Sequence, residues 1–597
     1  MDQGNRFGEF ISNLRKEKQI SLEQLSDGLC AVSMLSRFEH GEREPEKLMQ
    51  NRFLTRLGAV PENYENFLFY EDYCRWEKRQ GILHNILEEN IEEAKRLLEK
   101  YHQEYDMENV LEEQFYLAML AQIMRYEGCG KAKLAVVFKE ALELTVPEME
   151  RRGIWNRVLS LEEMNLLLEY VHCSNFELSR YEELLKYIES MERTMLALAK
   201  IYPKTVYYYY LAWEDAGHQG TDMALRMLEL CDKAIEILRD ANRMFYMWEL
   251  FGVMERLVPM LPKETRESEW VQTRLAECLG WKETLEEIYR DYGVSIAMYE
   301  FCYLYVGSEN YCIGDVVRIR RKMLGLSQKR LCKNICDERT LGRLEKNETR
   351  PQREVVQYLF DRLNLSTELC RTVLVTDSQE AIEMYREINK QNNNWNFEQV
   401  EMLTKKLRKL VSLDIPSNKQ ALERNEVLNL YKQKIISKLD YIKKMKEVLE
   451  NTVPYKAAIK NSEKYLTNEE IACLQNITLN IGWENAEMQE CVMALVRICE
   501  MPKYPANYVR VYEFVMGMVS SYLGDKGEYD YSNRVKNNIV AMALKNRRIK
   551  AIDSAIYGML WNREQESKKD DGKFEKKIHE NELKKCIRMS SLCKSVY

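Results

Sequence analysis

The sequence predicts an all-α protein laid out as an internal duplication: two helix-turn-helix modules, each followed by a tetratricopeptide-like α-solenoid. Three observations carry this. Apolar residues recur at helical spacing almost throughout, no convincing run of alternating strand pattern occurs, and the first part of the chain returns about three hundred residues later. Ile91, Ala94, Leu97 and Leu98 share one helical face while Glu92 and Glu93 oppose Lys95 and Arg96 on the other, and Leu225, Leu228, Ala234, Ile235 and Leu238 repeat the pattern.

The repeat is direct. Residues 15–45 align without gaps to residues 321–351, with 10 of 31 positions identical, among them Arg15/Arg321, Ser21/Ser327, Leu25/Leu331, Cys30/Cys336, Leu35/Leu341, Arg37/Arg343, Glu39/Glu345 and Pro45/Pro351. The likeness resumes further on, where Leu159-Ser160-Leu161-Glu162-Glu163-Met164 matches Leu466-Thr467-Asn468-Glu469-Glu470-Ile471, and Tyr202-Pro203 resembles Tyr504-Pro505. The units expected are a first module over 1–65, a first array over 66–306, a second module over 307–370, a second array over 371–563 and a charged tail over 564–597.

In the second module, Val317, Ile319 and Met323 form a first helix. Ser327 caps a second helix over 328–334, Ile335 and Cys336 make the turn, and Asp337 caps a third helix over 338–345. Pro351 precedes a fourth helix over 353–363. Two short helices across a tight turn are the motif that lays its second helix in a DNA major groove. In the arrays, segments 91–105, 112–126 and 131–144 read as helices separated by short polar turns, at a pitch near 34–40 residues per helix pair. Such arrays stack into a solenoid with a concave face.

The 597 residues are 45% hydrophobic and 31% charged, enough for large cores. Lys and Arg number 88 against 95 Asp and Glu, a net charge of -7, which excludes a uniformly basic nucleic-acid coat but not a local basic module. Charge separates the two modules. Residues 314–365 hold 13 basic and 7 acidic side chains (+6), whereas residues 6–60 hold 9 and 8 (+1). Phosphate neutralisation dominates DNA affinity, so the second module is expected to bind more strongly on its own.

The 16 cysteines are scattered singly with no C-x-x-C pair, as expected of reduced thiols in a cytoplasmic protein. The first six residues lack an apolar export core. The most membrane-like stretch, 294–306, carries Glu300 and falls short of the ~20 residues that span a bilayer, so no membrane association is expected. No phosphate-binding glycine loop, zinc-ligand cluster or nucleophile motif is present, so neither catalysis nor a cofactor is expected.

Leu326-Ser327-Gln328, Leu331, Leu341-Gly342-Arg343-Leu344-Glu345 and Pro351 resemble the lambda-repressor or XRE type of helix-turn-helix. The first copy carries Ile20-Ser21-Leu22, Leu25-Ser26-Asp27-Gly28 and Leu35-Ser36-Arg37-Phe38-Glu39-His40-Gly41. Both copies enter the third helix one residue early, and with that shortening the chain resembles the Rgg/PlcR branch of peptide-sensing regulators. The resemblance covers about 55 residues per copy and implies double-stranded DNA and a short signalling peptide as partners. It departs from the branch in carrying two modules, where one per chain is usual.

By the geometry of the motif, the start of each third helix faces base edges. These residues are Glu338, Arg339 and Thr340 in the second copy, with Arg339 suited to guanine and Glu338 to a cytosine amino group. In the first copy they are Val32, Ser33 and Met34, suited to apolar contact. Ser327 and Gln328 suit a phosphate at a helix N-terminus, as do Arg37 and Arg343 along the backbone; Leu22 replaces Gln328 in the first copy. Arg15 with Glu39 and Arg321 with Glu345 are expected as ion pairs inside each module, Cys30 and Cys336 as turn packing, and His40 as surface.

Four consecutive tyrosines, Tyr207 to Tyr210, cover every face of a helix, so some line a groove or pack between helices. Tyr207, Tyr210, Asn165 and Asn476, with Asn175 and Asn480, are the candidates to hold a peptide backbone. Two modules in one chain imitate a dimer, and a homodimer of the whole chain stays open beside this. The competing expectation is a tetratricopeptide-like scaffold for protein partners, with vestigial helix-turn-helix copies.

Overall fold

The computed structural model describes residues 6–595 apart from 106–107, 175, 218–219, 308, 367–369, 372, 461–462, 483–484, 500–508 and 570–575. Asn175, Tyr504 and Pro505 lie outside the described residues. The fold is all-α: 31 α-helices and three short strands among the described residues. No helix there is long and apolar enough to cross a membrane.

Each half repeats the same order. The first module comprises helices Arg6–Glu17, Leu22–Ser26, Val32–Glu39 and Lys47–Arg56. The second comprises Ile313–Met323, Gln328–Cys332, Glu338–Glu345 and Arg353–Arg362. The helix expected over 328–334 stops at Cys332, because Asn334 turns the chain with φ of 60°. Its counterpart is Gly28, φ 70°, where an added Cβ would lie 2.1 Å from the Thr145 carbonyl oxygen of the first array. Only glycine fits that left-handed position under a backbone.

The first array follows in pairs: Tyr70–Leu87 with Ile91–Glu104, Val110–Tyr126 with Lys131–Glu143, Leu161–Cys173 with Leu178–Ser190, Met195–Asp215 with Thr221–Ala241, and Met247–Leu257 with Glu269–Asp291. Capping boxes open corresponding helices in the two arrays, Ser160 with Glu163 and Thr467 with Glu470. Gln114 and Gln420 also match: each amide donates to a carbonyl of the following helix and to a threonine hydroxyl, Thr145 and Thr452. The stretch beyond 564, expected as a charged tail, continues helix Ile552–Lys569 and then forms helix Lys576–Leu592. Met589 and Leu592 of that helix are buried in the core of the first array, and Arg588 pairs with Glu283 at 2.6 Å.

The halves meet at both ends. Strand β1 (Glu65–Leu68) follows the first module, β2 (Asn310–Cys312) precedes the second, and β3 (Cys370–Arg371) follows it. They form one sheet in the order β2-β1-β3. β1 and β3 are antiparallel, with Glu65 opposite Arg371. Those two positions are equivalents in the duplication, so a local pseudo-twofold axis passes between them. At the far end the left-handed turns at Asn242 and Arg547 clasp each other: the Met244 amide donates to the Arg547 carbonyl at 2.8 Å, and the Lys550 amide donates to Asn242 Oδ1 at 2.5 Å. The strands were invisible to periodicity because each is two to four residues long.

Candidate nucleic-acid interface

Each module packs its helices around a small apolar core. Phe10, Ile11, Leu25, Leu35, Phe38 and Phe53 fill the first, and Val317, Leu331, Leu341, Leu344, Val356 and Phe360 fill the second. The predicted ion pairs form. Arg15 Nε donates to Glu39 at 2.6 Å and Arg15 Nη1 to the Ile20 carbonyl at 2.9 Å. Arg321 repeats both bonds, to Glu345 and to the Leu326 carbonyl. These pairs tie the first helix to the third and leave the outer edge of the third uncommitted.

That edge is open in both copies. Val32 and Ser33 are exposed and Met34 is half-buried at the start of helix Val32–Glu39. Glu338 and Arg339 are exposed and Thr340 is half-buried at the start of Glu338–Glu345, which Asp337 caps by accepting from the Thr340 amide at 2.6 Å. That bond holds the Asp337 carboxyl below its ordinary range. Arg37 and Arg343 are exposed beside the edges, Arg343 donating at 3.4 Å to the Glu348 carbonyl. Ser327 caps its helix through the Arg330 amide. Gln328 is half-buried, and its amide donates to Glu345 at 2.7 Å inside the module. Cys30 is pushed up to about 11 by burial and Cys336 is raised by burial, as fits packing thiols. His40 is exposed.

The second module exposes Lys322, Lys329, Arg330, Lys333 and Lys346, with Arg350 paired to Asp72, against exposed Asp337, Glu338 and Glu348. In the first module, exposed Lys16, Arg37 and Arg43 stand against exposed Glu17, Glu23 and Glu42. The charge difference read from the sequence is therefore a difference between two surfaces.

In each half a buried glutamate of the array, Glu163 or Glu470, takes an arginine of the module, a feature that the sequence pattern did not disclose. Arg56 donates to Glu163 at 2.6 Å, to the Thr145 carbonyl, and to the carbonyls of Leu25 and Asp27. In the second half these tasks are divided. Arg362, the equivalent of Arg56, donates to the Leu331 and Lys333 carbonyls, while Arg320 donates to Glu470 at 2.6 Å and to the Thr452 carbonyl. Leu14 stands at the Arg320 position of the first copy. The same carboxylate and the same threonine carbonyl thus receive a cation from a different helix.

The array candidates are placed as follows. Tyr208, Tyr209 and Tyr210 are buried, and their hydroxyls donate to Glu169, Glu182 and Glu214; Tyr207 is half-buried against Tyr246. Asn165 is fully buried, with Oδ1 accepting from Lys204 at 2.6 Å. Asn476 is half-buried and its Nδ2 has no hydrogen-bond partner among the described residues, while Asn480 donates to the Asn476 carbonyl. The four tyrosines therefore pack between helices rather than form an open aromatic wall. Helix Met195–Asp215 is covered on nearly every side, and acidic side chains meet the hydroxyls that burial would strand.

No family model matches the chain, and no curated protein matches it. Among solved structures it is similar to Bacillus thuringiensis PlcR in complex with the peptide PapR7 and DNA, with 16% identity, 47% of this chain and 95% of that chain covered, and a TM-score of 0.30. It is also similar to the apo form of the competence regulator ComR from Streptococcus vestibularis, with 15% identity, 47% and 94% coverage, and a TM-score of 0.28.

Proposed function

We propose that the chain is a sequence-specific DNA-binding transcription regulator that carries both halves of a dimeric reader in one polypeptide. The observation that carries this is the pair of open third-helix edges on modules whose exit strands β1 and β3 run antiparallel through equivalent residues. Antiparallel pairing of equivalent strands orients the modules as a twofold dimer does, which suits inverted half-sites. The edges differ, Val32-Ser33-Met34 against Glu338-Arg339-Thr340, so the half-sites are unlike. Arg339 reads a guanine, Glu338 a cytosine amino group, and Ser327, Arg37 and Arg343 meet phosphates. Gln328 steadies Glu345 inside the module through one amide hydrogen. A peptide or small ligand held by the helical arrays controls the modules, with Asn476 of the second array as a candidate contact. The protein works in the cytoplasm without a membrane or cofactor.

Selection of bound sequences from a random duplex pool tests the reading. The expected product is two unlike inverted half-sites about one helical turn apart. Failure to enrich any sequence, with protein partners still captured, would instead favour the scaffold with vestigial modules.

A further inference from the structure

The linker between the first array and the second module packs into that array, with Ser295, Ala297 and Tyr299 left exposed along it. From the end of helix Glu269–Asp291 to β2, residues 294–307 thread across the inner helices of the first array. Met298, Phe301, Cys302, Tyr303 and Leu304 of this strap are all buried. Side chains from four different helices hold its backbone. Gln122 donates to the Tyr299 carbonyl at 3.2 Å, Lys200 to Tyr303 at 3.1 Å and Gln80 to Tyr305 at 3.4 Å, while Glu249 accepts from the Met298 amide at 2.5 Å. From the second half, Arg547 donates to the carbonyls of Ile296 at 2.8 Å and Ala297 at 3.2 Å.

Side-chain chemistry is matched as well. The inner face carries Arg125 and Lys204, both paired to the fully buried Glu169. The strap places the Phe301 ring over both cations, 5.8 Å from the Arg125 guanidinium and 5.1 Å from Lys204 Nζ. It also buries one carboxylate, Glu300, which burial pushes above its ordinary range against the opposing charges of Arg547 and Lys204. Side chains of successive helices thus each take one backbone group of an irregular segment, so the inner face carries the donors and acceptors that an extended peptide backbone needs. The second array does not repeat this nest: Tyr431 stands for Arg125 and Asn476 for Glu169 by the register of the duplication.

We propose that residues 294–306 are a resident peptide of the first array, a tethered occupant that closes its inner face to free peptides. The occupancy stands on the contacts above and is independent of DNA binding; only its consequence, that ligand response belongs to the second array, rests on the function proposed above.

The test uses the full chain. A variant with 294–306 replaced by an equally long glycine-serine segment, checked for wild-type helicity by circular dichroism, is titrated with a labelled synthetic peptide of sequence 294–306. Saturable binding is expected to the variant and none to the wild type, and adding Gln122→Ala and Lys200→Met to the variant weakens binding by about tenfold or more. Equal binding to wild type and variant, or none to a helical variant, overturns the proposal. Hydrogen exchange on the wild type decides the matter should the variant not fold. The Met298 and Cys302 amides are expected to be protected as strongly as the helices around them, and exchange at the rate of an open linker overturns the proposal. Loss of DNA binding in a separate assay bears only on the regulator reading.

Discussion

At the scale of single residues, the proposed function has the two arginines of the second edge divide the work of reading and anchoring. Arg339→Ala is expected to relax discrimination at one base pair by about 1–3 kcal/mol, measured on a panel of single-base operator variants. Arg343→Ala should instead weaken all sequences alike and lower the slope of log affinity against log salt by about 1. Equal loss on matched and mismatched sites for Arg339→Ala would remove its base-reading role. The buried carboxylates make a second residue-scale prediction. Burial pushes Glu163 up, but the charges of Arg56 and Arg52 overcome it and hold Glu163 at about 2, below the ordinary 4.5. Glu169 is held at about 2 in the same way by Arg125 and Lys204 against burial. A depressed folded-state value stabilises the protein above the unfolded value, and that stability is lost as pH falls from about 4.5 towards 2. Denaturant melts between pH 6 and 3 should show this loss, and Glu163→Gln should reduce its steepness while lowering stability at neutral pH by about 3–5 kcal/mol through stranded arginines. The ion pairs Arg15–Glu39 and Arg321–Glu345 were legible because both partners recur at one offset in the duplication. Arg56–Glu163 and Arg320–Glu470 were not, since the basic partner changes helix between the copies.

At the scale of elements, the helix boundaries followed from caps and periodicity, and helices expected over 91–105 and 131–144 end within a residue of Glu104 and Glu143. What periodicity did not reveal is which elements cover others. A run of four tyrosines looks exposed on a lone helix, yet Met195–Asp215 lies between neighbours on most of its faces. An apolar run of membrane-like character turned out to be a strap across an array, since the same composition suits burial in lipid or in protein. The sheet joining the modules offers an element-scale test. The Asn66 amide donates to the Glu309 carbonyl at 2.8 Å, and Asn66 lies opposite both Asn310 and Cys370. Asn66→Pro removes that donor from the central strand. Its DNA footprint is expected to shrink from two half-sites towards the one read by the more basic second module. An unchanged footprint would show that the sheet does not set the spacing. Gly28→Ala, forced into left-handed backbone beneath Thr145, should cost more than about 1 kcal/mol in a denaturant melt.

At the scale of the molecule, the duplication found in sequence is an arrangement in space, with two halves meeting at the strands and again at the turns around Asn242 and Arg547. The exchange Glu338→Val, Arg339→Ser and Thr340→Met gives both edges the same residues. Its selected operator should become more nearly palindromic, and retention of the wild-type consensus would place the reading surface elsewhere. The two clasps also bear on dosage. A reader assembled from separate subunits occupies its site with the square of its concentration when scarce, and exchanges halves with any relative that shares its interface. Under the proposed function, with one chain per operator, the partner arrives with the same translation event, so occupancy should rise in simple proportion to copy number, and each half is free to diverge while keeping its mate.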